Sequence, residues 1–152
     1  MSKTENLYLL AAEHGIPVDD HCPDSIISMS VKLPNGVKVI GLSPDKTYLS
    51  EESPPYTKLE CFAHEMGHCM TESFYSVWSP LETRAKHEAR AHKWAANYVI
   101  PFSELRSAVS AGNRELWQLA EYFDVSPAFV EKAIQIHEQH GNVVPKEFYA
   151  ND

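Results

Sequence analysis

Ile27, Met29, Val31 and Leu33 alternate with Ser28, Ser30 and Lys32, a period of two that predicts a half-buried strand. Asn35-Gly36 follows as a hairpin signal, and residues 37–42 are read as the return strand. Before this hairpin a helix is expected over about residues 4–14, stopped by Gly15 and Pro17. After it, residues 43–56 are rich in Ser, Pro, Asp and Glu and read as a loop. Thr57-Lys58-Leu59-Glu60 fits a capping box, with Thr57 as N-cap and Glu60 reaching back. Leu59, Phe62, Ala63, Met66 and Met70 then recur at helical spacing, so this helix has a buried face. A second long helix is expected over 79–101, with Ser79 as N-cap, Pro80 at the first helical position and Pro101 as the stop. Leu81, Ala85, Glu88, Ala91, Ala95, Tyr98 and Val99 form its inward stripe. Further on, Asn113 is expected to cap a helix through Tyr122, and Ser126-Pro127 to start another. Leu119-Ala120, Val125-Ser126 and Val130 look like a helix-turn-helix core. The tail after Gly141 is expected to fray.

The first of the two long helices carries His64-Glu65-Met66-Gly67-His68. Histidines four apart lie on one face, one turn from each other, and can take adjacent positions on a metal ion. Glu65, rotated off that pair, can reach a water on the metal without being a ligand, which is where a general base must stand. A catalytic metal of this kind needs a third protein ligand. Glu88 is a carboxylate in an otherwise apolar row, 20 residues beyond His68, a separation that suits two antiparallel helices. A buried carboxylate needs a partner, and a metal on the facing helix would be one. The other readings are a salt bridge to Arg84 or His92, and His92 itself as third ligand. Cys61 shares the histidines' side of the helix; it is either a fourth ligand or a small core residue.

Residues 57–101 resemble the ImmA/IrrE metallopeptidase family, through His64-Glu65-Met66-Gly67-His68, then Glu88-Ala89-Arg90-Ala91, Trp94-Ala95-Ala96 and Val99-Ile100-Pro101. Trp94 stands where the family usually has Phe, and Val99-Ile100 where Leu-Met is common; both are apolar exchanges on a packing face. The resemblance implies a compact zincin-like α+β fold, with a small antiparallel sheet packed on helices, over one domain spanning 1–152. It places the metal ligands at His64, His68 and Glu88 and the general base at Glu65. It also implies Zn²⁺, with Mn²⁺ or Fe²⁺ suiting the same donors, and a protein substrate, a helix-turn-helix repressor of a phage or mobile element. On the same pattern the return strand is expected to be the sheet edge that holds an extended substrate. Tyr56, Tyr75, His87 and His92 are the candidates for steadying the oxyanion.

Composition narrows the alternatives. The chain has 152 residues, 43% of them hydrophobic and 22% charged, which supports a packed core. Cys22, Cys61 and Cys69 leave an odd thiol in any pairing, pointing to a reducing, cytoplasmic setting. Neither a signal peptide nor an apolar run of membrane-spanning length is seen. Residues 113–138 hold two basic residues (Arg114, Lys132) against five acidic ones, and the chain's net charge is −8, so direct nucleic-acid binding is not expected. The absence of any Cys-x-x-Cys argues against a closed structural zinc site. The rival to the enzyme is a non-catalytic regulatory module, an anti-repressor or sensor, on the same fold.

Overall fold

The computed structural model describes residues 1–23, 26–49 and 55–142. The elements run α1 (Lys3–Glu13), β1 (Val18–Asp19), β2 (Ser28–Lys32), β3 (Lys38–Leu42), α2 (Asp45–Leu49), α3 (Lys58–Met70), α4 (Leu81–Val99), α5 (Phe102–Ser110), α6 (Leu116–Phe123) and α7 (Pro127–Gln139). The architecture is α+β. Helix α1 opens with a Ser2/Glu5 capping box and ends before Gly15 at φ +65, a left-handed position that glycine takes without strain. The segment 43–56 is not all loop: it contains α2, while 50–54 and the tail from 143 lie outside the described residues.

The hairpin forms as an antiparallel pair, with Ser28 opposite Leu42 and Ser30 opposite Ile40. The sheet order is β1-β3-β2, with β1 parallel to β3. The return strand is therefore central and cannot be the edge that receives a substrate. Among the described residues β2 has a neighbour on one side only. Ile27 O accepts from Ser43 N–H and Leu33 N–H donates to Val37 O, so the odd-numbered residues of β2 bond inward. Ser28, Ser30 and Lys32 thus turn their backbone groups to the open side.

The polar positions of β2 do not face solvent. Residues opposite each other on a sheet share a face. Ser28 and Ser30 therefore lie on the face of Leu42 and Ile40, both fully buried, and that face packs on α3. Met29 is 36% exposed and covers Gly41 on the other face.

Helix α3 is the centre of the molecule. Leu59, Phe62, Ala63 and Met66 are buried as the spacing requires, joined by Leu7 and Ala11 of α1 and by Ala95 and Val99 of α4. Each large side chain buried in this way contributes about 1.5–3 kcal/mol. Thr57 caps α3 through Glu60 N–H at 3.2 Å, but the capping box is not closed. The Glu60 carboxylate turns away to accept from Ser126 N–H (2.8 Å) and Ser126 Oγ–H (3.0 Å) at the start of α7. The N-terminus of α7, where the helix dipole favours negative charge, takes the carboxylate in place of a second cap at α3.

The stripe on α4 holds only in part. Ala91, Ala95 and Val99 are buried and Glu88 half-buried, but Leu81 is 77% exposed and Ala85 is exposed. Gly67 meets Ala91 one turn before α3 ends at Met70, so the first turns of α4 extend beyond it. Pro80, not Ser79, is the N-cap of α4; Ser79 Oγ instead accepts from Ser76 N–H within the preceding loop. Helix α6 is capped by Glu115 with Gln118, while Asn113 bonds the Ala108 carbonyl. Ser126 caps α7 as expected, with Pro127 in its first turn.

Candidate metal centre

His64, His68 and Glu88 converge. His64 Nε2 lies 2.8 Å from Glu88 Oε2, His68 Nε2 lies 3.2 Å from Glu88 Oε1, and the two Nε2 atoms are 3.2 Å apart. Two of the three come from one turn of α3, and the third crosses from α4. Gly67 makes that crossing close enough: a Cβ at this position would sit 2.5 Å from the Ala91 carbonyl oxygen. The glycine inside the motif is thus a packing requirement, and Ala91 lies one helical turn beyond Glu88.

The other atoms of these side chains are fixed as well. His68 Nδ1–H donates to the Ser73 carbonyl, which leaves its Nε2 bare toward the cluster. Tyr75 Oη–H donates to Glu88 Oε1 at 2.7 Å. The buried Nδ1 of His64 has no hydrogen-bond partner among the described residues. Burial opposes a charge on His64, but the Glu88 hydrogen bond and the Glu65 charge outweigh it and raise its pKa. The His64 hydrogen bond, against the effect of burial, holds Glu88 at about 2, with Tyr75 assisting. Glu88 is thus held as an anionic carboxylate in contact with both imidazoles.

This donor set fits a divalent transition metal. A tetrahedral zinc with ligands at about 2.0–2.1 Å spaces its donors about 3.3 Å apart, close to the observed 2.8–3.2 Å. His92 is a looser neighbour. One donor atom from each of His64, Glu88 and His92 also falls within 4.8 Å, and the His92 ring lies on His64 with centroids 4.5 Å apart. In the set that includes His68, each ring nitrogen contacts its own Glu88 oxygen, His64 on Oε2 and His68 on Oε1. Burial, then the charge of His64, lower His92 to about 4.

Glu65 is 7% exposed and stands beside this cluster. Its Oε2 accepts from Ser28 Oγ–H and its Oε1 from Ser30 Oγ–H, both at 2.7 Å. The two hydroxyls hold the carboxylate in one orientation, and each oxygen keeps a further lone pair. Sequence reasoning missed both serines. Their alternation with Met29 and Val31 was the available signal, but periodicity does not say which face of a strand is covered.

The remaining candidates divide by position. Tyr75 touches Glu88 directly. His87 stacks on Tyr75 at 6.2 Å, one step farther out. Tyr56 is 48% exposed and, with His92, lines a cavity of about 490 Å³ next to His64. Cys61 lines the same cavity. Burial, with the charges of Glu60 and Glu65, pushes its thiol up to about 12. Among the described residues its sulfur joins no group of converging metal donors, so the core reading of Cys61 fits better.

At the far end of α3, Lys38 Nζ donates to the Cys69 carbonyl at 2.9 Å. Glu72, at φ 53, pairs with Lys32 at 2.9 Å and with Lys38. These contacts tie the hairpin to the helix whose Glu65 it orients.

The family model of the IrrE N-terminal-like domain, a peptidase family designated M78, matches residues 36–135, two-thirds of the chain. The span covers α3 and α4 entirely and leaves α1, β1 and β2 outside. No curated protein and no solved structure gives a significant match.

Proposed function

We propose, since the chain belongs to the IrrE N-terminal-like family of M78 peptidases, that it is a metal-dependent endopeptidase. Membership makes it a metallopeptidase-type domain, with a metal cofactor and a protein as substrate. The observation that carries the finer reading is the convergence of His64, His68 and Glu88 within 2.8–3.2 Å beside an oriented Glu65. These three residues would hold the ion, which we take to be Zn²⁺; Mn²⁺ or Fe²⁺ would suit the same donors. When bound, such an ion lowers the pKa of water and polarises a carbonyl.

The chain's own groups supply the rest. Glu65 would accept the proton of the attacking water and return it to the leaving amine. Ser28 and Ser30 hold its carboxylate in place for both transfers. Tyr75, whose hydroxyl already reaches the site, is the candidate for hydrogen-bonding the oxyanion. The open side of β2 offers the backbone groups of Ser28, Ser30 and Lys32 to an extended substrate. We infer that the substrate is a helix-turn-helix repressor of a phage or mobile element. This rests on the family resemblance and on the match of an acidic chain, net −8, to a basic partner. The reducing interior of a cell is the setting that three unpaired cysteines suit. No described helix is long and apolar enough to cross a membrane.

One observation favours a second reading, a non-catalytic regulatory module: both oxygens of the nearly buried Glu65 already have hydroxyl partners. Metal content of the wild type beside His64→Ala and Glu88→Ala tests the site. About one metal per chain, lost or sharply weakened in both variants, is expected. No metal in the wild type at ample supply would leave the binding module. Loss with His64→Ala alone would move the third ligand to His92.

A further inference from the structure

We infer that the cavity beside His64 receives a large apolar side chain from a substrate residue flanking the cleaved bond; this rests on the peptidase reading of the site. The cavity measures about 490 Å³, within the range of sites that enclose whole small ligands. It has room for an aromatic or long aliphatic side chain, where a shallow dent would take only a methyl group.

Its position connects it to the chemistry. His64 and His92 form the side nearest the metal centre, and Ile27 and Ser28 form the side at the start of β2. Ser28 is thus shared, because its hydroxyl also holds Glu65. A chain paired on the open side of β2 sends alternate side chains to opposite faces of the sheet. Those on the face of Ser28 point toward α3, where the cavity lies.

Its chemistry selects what enters. Ile27, Tyr56, Cys61, Ala128 and Phe129 supply the walls. Glu60 also borders it, but one carboxylate oxygen is engaged by Ser126 and the other is sealed from solvent. The carboxylate is thus turned toward Ser126 and away from solvent, and it presents no exposed oxygen at the cavity surface. Lys132, an exposed lining residue, adds a positive charge that disfavours Lys or Arg. An apolar side chain gains by leaving water here, and a charged one loses its hydration without a partner.

The test is calorimetric binding of short peptide hydroxamates to the metal-loaded protein, with Gly, Asp, Lys, Leu or Phe next to the hydroxamate. The Leu and Phe compounds should bind roughly tenfold to a hundredfold more tightly than the others. Ala128→Trp places a large ring at the cavity wall from an exposed position. It should reduce Leu and Phe to the affinity of Gly while metal content and Gly binding stay unchanged. Ala128→Asp, acceptable in the first turn of α7, should raise Lys binding relative to Phe. Equal affinities across the series, or no response to either variant, would overturn the inference and leave the peptidase reading standing. A protein that takes up no metal and binds none of the compounds would overturn both.

Discussion

Around the α6–α7 pair, the buried side chains of His137 and Glu60 are turned to backbone or capping groups, although one Glu60 oxygen has no partner among the described residues. His137, 2% exposed, donates from Nε2 to the Ile100 carbonyl at 2.7 Å, satisfying the end of α4. Glu60 fills the N-terminus of α7 through Ser126. Between α3 and α4 the polar side chains face one another instead: two imidazoles and a carboxylate meet at 2.8–3.2 Å, with a second carboxylate alongside. Burial alone does not separate the two regions, since Glu60 and Glu65 are 5% and 7% exposed. The difference lies in the partner. A polar group spent on a helix end stabilises the fold. Polar groups left for one another are the ones the proposed coordination and proton transfer draw on.

The largest expected effect on this contrast is at Glu65. Glu65→Gln keeps the shape and removes the basicity, and should slow cleavage of a substrate peptide by about 100- to 10,000-fold, with metal content unchanged. Turnover at the wild-type rate would place Glu65 with the structural carboxylates such as Glu60. Next is Gly67→Ala, whose methyl group would meet the Ala91 carbonyl. Denaturant unfolding should show a loss of about 1–3 kcal/mol, and metal affinity should fall because Glu88 moves with α4. Retained affinity would mean that the helix spacing does not set the ligand geometry.

His137→Ala leaves the buried Ile100 carbonyl unpaired and should cost about 1–3 kcal/mol of stability. Metal titration should be unaffected, the opposite of Gly67→Ala in its second readout. The smallest change is expected for Ser28→Ala and Ser30→Ala. Each removes one orienting hydrogen bond, worth about 0.5–1.5 kcal/mol or more when the acceptor is charged, and should lower kcat several-fold at unchanged metal content. An unchanged kcat in the double variant would show that the carboxylate is oriented by something other than β2.

The parts of the site legible in the chain were those set within one helical turn. His64, Glu65 and His68 owe their relation to the 3.6-residue repeat, which any helix imposes. The Asn35-Gly36 turn, the Thr57 cap and the Ser126 cap are local in the same sense. Glu88 stood out as an acidic residue in an apolar row, and the fold brings it to both histidines. The same stripe argument failed at Leu81 and Ala85, because a helix repeats its pattern past the point where its neighbour ends.

By itself, then, the sequence determined which side chains share a turn, and so the pair of imidazoles with a carboxylate between them. Only the tertiary structure decided what faces that pair. It placed β3 in the centre of the sheet and left β2, among the described residues, at the edge; it turned the serines of β2 onto Glu65; and it gave the Glu60 carboxylate to α7. These outcomes depend on contacts between residues far apart in the chain, such as Ser28 with Glu65 and Glu60 with Ser126. Periodicity sets the face a residue occupies, and packing sets what that face meets.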